Sequence, residues 1–156
     1  RIAEALRMDE NLIKPGMIER GLLWDECNGT CPFSGDSLGS FTRLFSPDSH
    51  VQVEHILPRK KTLDDSFANL TLATAAANAE KADRTPFQAF GNQGARYGAM
   101  LERVSMFRGE FARQKLIRFR MDKKDLQEIF DEFSRRQLND TRYASRVAGD
   151  YLALLY

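Results

Sequence analysis

Apolar residues recur along this chain at two periods, and the change of period divides it. Residues 1–10 place Ile2, Leu6 and Asp9 at helical spacing, and Lys14-Pro15-Gly16 interrupts them. MIERGLLWDE, 17–26, resumes the spacing and predicts a short helix with Met17, Ile18, Leu22 and Leu23 on one side. CNGTCPFSGDSLGS, 27–40, mixes glycine, proline and small polar residues, so it predicts a turn-rich loop. FTRLF, 41–45, and VQVEHIL, 51–57, then read as strands. In the second, Val51, Val53 and His55 share one face and Gln52, Glu54 and Ile56 the other. SPDS between them is turn chemistry, so the expected element is an antiparallel hairpin.

Pro58 ends the second strand. RKKTLDDSFANL, 59–70, predicts a loop that Leu63 and Phe67 tack to the core. LATAAANAEKA, 72–82, has the alanine content of a good helix, with Thr74 as its N-cap. Thr85 and Pro86 open another helix. From residue 92 the spacing is helical throughout, in RYGAMLERVSMF, ARQKLIRF, KKDLQEIFDEFSRRQL and RYASRVAGDYLALLY, with Asp122 and Asp140 as candidate caps. The predicted class is α+β and mostly helical: a small hairpin–loop–helix unit among additional helices.

Composition narrows the class. The 156 residues suit one domain, and 42% apolar content argues against disorder. A net charge of +1 excludes a polycationic arm, so contacts to nucleic acid have to be placed locally. No apolar run approaches the roughly 20 residues of a membrane helix, and no membrane partner is expected. The first residue is not Met and the last stretch is YLALLY, which reads as a piece cut from something longer. Cys27 and Cys31 make no disulfide framework, so a reducing, cytoplasmic setting is the default. With His50 they also fall short of the four ligands of a structural zinc site, which disfavours zinc.

The chemistry concentrates in 51–78. His55 follows a carboxylate, Glu54, where a strand gives way to a proline-ended loop. A lone histidine is more often structural than catalytic. Asn69 lies in the returning loop, where it can fix the imidazole or the backbone. Asn78 sits in an alanine helix that leaves its amide unobstructed, and is equally readable as a tolerated surface residue. Phosphodiester hydrolysis needs a base for water and a cation for the phosphate and leaving oxygen. Imidazole suits the base, and a carboxylate with an amide carbonyl suits magnesium. Arg59, Lys60 and Lys61 are either a solvated tip or contacts to backbone phosphates. The denser positive run from Arg108 through Arg113, Lys115, Arg118, Arg120, Lys123 and Lys124 is either a duplex-tracking face or a solvated one. Trp24, Phe33, Phe41 and Phe45 read as core.

The acid-histidine pair at a strand end, the loop asparagine and the helix asparagine 23 residues after the histidine resemble an HNH, or ββα-metal, nuclease. EHILPRKKTLDDSFANLTLA narrows the resemblance to the HNH domain of the RNA-guided DNA endonucleases of type II CRISPR systems. CPFSG, RTPFQAFG and RRQLNDTRYASRVAGDYL resemble segments around that domain in the compact, type II-C-like effectors. The resemblance covers most of 24–152, and is weakest over 92–134. It implies a single HNH domain over 1–156, with the ββα-metal core at about 41–82 and residues 1–20 and 135–156 near linkers to an absent RuvC-like domain. It implies His55 as general base, Glu54 and Asn78 as magnesium ligands with manganese able to substitute, and Asn69 as a structural residue of the site loop. Lys81 becomes a phosphate-contact candidate beside Arg59, Lys60 and Lys61. The family usually carries aspartate where Glu54 stands. The implied partners are the target DNA strand paired to guide RNA and the rest of a bacterial effector, with the isolated domain a monomer. The alternatives are a free-standing homing or restriction-type HNH endonuclease and a catalytically silent nucleic-acid-binding module.

Overall fold

The computed structural model describes residues 1–153, with side chains described through Arg142 and at Ser145. Two strands, β1 (Val51–His55) and β2 (Leu70–Thr74), pair antiparallel. Around them lie α1 (Ile2–Leu6), α2 (Pro15–Glu26), α3 (Arg59–Thr62), α4 (Ala75–Lys81), α5 (Pro86–Phe90), α6 (Gly94–Ser105), α7 (Ala112–Arg120) and α8 (Lys123–Ala153). The α+β, mostly helical class holds, as do the helix starts at Thr74, Thr85-Pro86 and Asp122. Thr74 accepts from the Ala77 amide, and Thr85 with Gln88 forms a reciprocal capping box. Asp122 Oδ1 accepts from the amides of Lys124 and Asp125 at 2.7 and 3.0 Å. Asp140 caps nothing: it lies inside α8, which runs unbroken across two segments expected to be separate. Residues 154–156 of the expected last helix lie outside the described residues.

An antiparallel pair forms, and VQVEHIL supplies one of its strands as expected, but FTRLF does not supply the other. Residues Arg43–Phe45 form a 3-10 turn, and β1 pairs instead with β2, in the register Val51↔Thr74 to His55↔Leu70. Arg20 explains why the earlier segment stays out of the sheet. Its Nη2 donates to the carbonyls of Leu44 and Val51 at 2.9 and 3.1 Å, tying both ends of the turn to α2 rather than to each other. Leu70, Thr71, Leu72 and Ala73 are all buried, so β2 shows no inside–outside alternation, and its alanine and threonine merge with the helix that follows.

Two other expectations change. On α2 the buried positions are Gly21, Leu23 and Glu26, while Ile18 and Leu22 are exposed. In the loop after β1, Phe67 packs against the core and against Phe111, but Leu63 is exposed in a left-handed conformation at the end of α3.

The core is aromatic at its centre. Phe33 stacks on Phe119 with centroids 5.3 Å apart and meets Phe90 at 6.2 Å. Trp24 and Phe45 pack against this core, and Phe41 meets both edge-on. Gly29 has φ +63, and a Cβ there would lie 2.7 Å from the Trp24 ring, so only glycine serves where α2 turns into the loop. Arg103 Nε donates to the Pro32 carbonyl at 3.0 Å and pins the loop to α6. A buried ion pair, Lys115 with Glu26, joins α7 to α2, and the Lys115 ammonium lies 4.1 Å from the centroid of Phe67. Burial raises the Glu26 carboxyl and lowers the Lys115 ammonium, each partly offset by the other.

Candidate active site

The site is built where β1 meets α4. Ala75, Ala76 and Ala77 give α4 high helix propensity, and Ala77 is buried against the sheet. That close packing sets polar residues two apart on the strand against polar residues three apart on the helix. Asn78 Nδ2 donates to Gln52 Oε1 at 2.7 Å, and Lys81 Nζ donates to Glu54 Oε1 at 2.7 Å. The helix is closed by Arg84, which donates to the carbonyls of Lys81 and Glu80.

Glu54 and Asn78 are therefore both engaged across the seam between β1 and α4, Glu54 by Lys81 and Asn78 by Gln52. The expected role of Lys81 is corrected by its position. Its side chain is 1% exposed and its ammonium is taken by Glu54, so it holds the carboxylate rather than presenting a charge to solvent. Burial lowers the Lys81 ammonium, and the bond to Glu54 opposes that shift. These bonds use one Glu54 oxygen and the nitrogen end of the Asn78 amide. Among the described residues nothing takes Glu54 Oε2 or Asn78 Oδ1, two hard oxygen donors. Among the described residues no three His, Cys, Asp or Glu side chains cluster, so a cation held here takes most of its ligands from water or phosphate. Cys27 and Cys31 are both buried, and burial pushes the Cys27 thiol up to about 11.

His55 leaves β1 on the other face and touches neither Glu54 nor Asn78. Its Nε2 lies 2.8 Å from Asp65 Oδ1, and Arg59 Nε donates to the same oxygen at 2.7 Å. Arg59, then His55, holds the Asp65 carboxyl down at about 2. Of the basic loop residues, Arg59 thus meets Asp65, and Lys60 meets Asp83 at 2.8 Å, so both carry an acidic partner on the surface. The longer basic run is no continuous face. Lys115 is buried on Glu26, and Arg118 reaches Asp64 at 3.1 Å.

Asn69 clamps the loop between the strands. It is fully buried, its Oδ1 accepts from the Leu57 amide at 2.9 Å, and its Nδ2 donates to the carbonyls of Leu57 and Asp64 at 3.1 and 2.9 Å. Together with the Ile56 amide on the Asn69 carbonyl, this closes the loop at its base. Asn69→Ala is expected to destabilise the domain by about 2–4 kcal/mol, because it strands the buried Leu57 amide. A urea denaturation midpoint unchanged from wild type would refute that.

Sequence reasoning missed Gln52 and Asp65. The first was detectable, since Gln52 and Glu54 at strand spacing match Asn78 and Lys81 at helix spacing. For Asp65 no signal separated it from Asp64, which instead accepts from the Ser66 amide and Arg118.

Known proteins add a family to this geometry. Residues 31–87 match the HNH endonuclease family model. Over 127 residues the chain is 32% identical to CRISPR-associated endonuclease Cas9 1 of Streptococcus thermophilus, a match covering 80% of this chain and 11% of that protein. Over 135 residues it is 28% identical to the Cas9 endonuclease of Staphylococcus aureus, covering 82% of this chain and 13% of the other. The chain thus spans about an eighth or less of the curated relatives it matches. Among solved structures, S. thermophilus Cas9 in complex with the AGAA PAM superposes with a TM-score of 0.56 at 26% identity, over 83% of this chain and 13% of that one. The type II-C Cas9 of Actinomyces naeslundii shares the fold, with a TM-score of 0.58 at 17% identity, over 74% of this chain and 12% of that one. A strand ending in Glu54-His55, an asparagine-clamped loop, a helix carrying Asn78 and these matches converge: the chain belongs to the HNH endonuclease family, in the group represented by the Cas9 endonucleases.

Proposed function

We propose that this domain hydrolyses a phosphodiester of the DNA strand paired to guide RNA, as the magnesium-dependent HNH nuclease of a longer effector in the bacterial cytoplasm. In this reading a RuvC-like domain of the same effector cuts the other strand, and residues 1–20 and 135–156 lie near the linkers to it. The observation that carries the proposal is the packing of α4 on β1, which engages one Glu54 oxygen and the nitrogen end of the Asn78 amide and leaves the other oxygen of each for a cation, next in sequence to the histidine that ends the strand.

His55 takes the proton of the attacking water at Nδ1, because Nε2 is already engaged by Asp65. The resulting hydroxide attacks phosphorus, the bond to the leaving oxygen breaks, and that oxygen takes a proton from solvent. Magnesium bound at Glu54 Oε2 and Asn78 Oδ1 would supply charge neutralisation at the phosphate and leaving oxygen, and manganese would substitute. Lys81 holds Glu54 Oε1, so the carboxylate presents a single oxygen. Gln52 takes the nitrogen end of the Asn78 amide, which leaves the carbonyl end for the cation.

Manganese titration of the isotope-labelled domain, followed by NMR, tests the ligand set. Broadening should start at Glu54, His55 and Asn78. Broadening centred on Cys27 and His50, or none at millimolar manganese, would overturn it.

A further inference from the structure

Asp65 is an exposed carboxylate, and exposed ion pairs are usually of little consequence. Its backbone is another matter. The residue before it is fixed three times: the Asp64 amide donates to Thr62 Oγ1, its carbonyl accepts from the buried Asn69 amide, and its carboxylate accepts from Arg118. The residue after it, Ser66, donates its amide to Asp64 Oδ1 at 2.9 Å. Asp65 thus projects from a loop tip anchored on both sides, toward a histidine at the end of a paired strand. Arg59, on α3, grips the same carboxylate oxygen that meets His55 Nε2.

We infer that Asp65 is a positioning residue: its Oδ1 accepts the Nε2 proton of His55, fixes the imidazole in the tautomer whose Nδ1 is a free base, and is itself aimed by Arg59. A carboxylate that orients an imidazole in this way does not touch the substrate, yet it decides which nitrogen can accept a proton. The inference rests on His55 being the base. It also separates cleanly from a bland role. A surface carboxylate beside a phosphate backbone repels DNA, so removing it should tighten binding and leave turnover alone. A positioning carboxylate should do the opposite to turnover.

The test reads the tautomer directly. The chain has two histidines, so nitrogen-15 histidine spectra hold two rings, and His50→Gln assigns them. At a pH where the ring is neutral, His55 should show a protonated Nε2 and an unprotonated Nδ1. Asp65→Ala should give mixed tautomers and, in the full guided effector, cut kcat for the guide-paired strand by about 10–100-fold with KM unchanged or lower. Asp65→Asn keeps an oxygen that can accept from both His55 and Arg59, so it should retain the tautomer and recover most of the rate. Both variants should melt as wild type does, since Asp65 is itself exposed and its partners are the exposed Arg59 and the half-buried His55. An unchanged tautomer and kcat in Asp65→Ala would overturn the inference, as would an Asp65→Asn as slow as Asp65→Ala with the tautomer intact. A His55→Ala enzyme that still cut at the wild-type rate would instead overturn the base assignment beneath it.

Discussion

His55→Ala should lower cleavage of the guide-paired strand by about 10²–10⁴-fold in the full effector, with DNA binding and thermal stability unchanged. The fold should survive because, among the described residues, the imidazole's one side-chain partner is Asp65, itself exposed, while the strand is held by its pairing with β2 and by Arg20 at its start. Turnover should fall because no other imidazole is near: His50 lies before β1, where it contributes its carbonyl to the Ala75 amide. Strand-specific nicking assays read the rate, since the second strand is cut by a different domain in this proposal. Guide-paired cleavage within a few-fold of wild type would reject His55 as base.

The second large effect concerns stability and lies away from the site. Lys115→Met should cost about 3–5 kcal/mol, because it leaves Glu26 ionisable, buried and without its cation. For a domain of this size that is a loss of roughly 10 °C or more in Tm. The double variant Glu26→Leu with Lys115→Met should recover most of the loss, since an apolar pair of similar volume faces no desolvation penalty. The cation–π contact of Lys115 with Phe67 adds a consequence for the single variant. Phe67 anchors the far end of the loop that carries Asp65, so disturbance should extend toward the site. Calorimetry of the single and double variants decides. Equal Tm values for wild type and Lys115→Met would show that the pair contributes nothing.

How far the sequence carried these conclusions depends on the element. The residues of the candidate site stood out because they are chemically distinctive and close in sequence: Glu54-His55, Asn69 and Asn78 all lie within one short stretch. The caps at Thr74, Thr85 and Asp122 were legible because capping is a local exchange of hydrogen bonds. The strand pairing was not. FTRLF has the composition of a strand, but Arg20, far away in sequence, draws its end to α2. LTLAT is a strand buried on both faces, and alternation vanishes when both faces are buried. The fate of the lysines was equally hidden. Lys81 and Lys115 look like surface charges in the sequence, and both are buried on carboxylates 27 and 89 residues away.

The clamp that Asn69 forms has a further consequence, for how this stretch can change in evolution. β1 and β2 are neighbours in the sheet, yet residues 56–69 separate them. The clamp fixes the strand register from the base of that excursion, so its outer turn around Lys60 and Lys61 carries none of the alignment. Lys60 and Lys61 are exposed there, while Arg59 and the buried Thr62 on the same turn hold Asp65 and Asp64. Substitutions at Lys60 and Lys61 can accumulate while Glu54, His55 and Asn78 keep their places, which makes these two positions the natural place for a lineage to vary its contacts without rebuilding its chemistry.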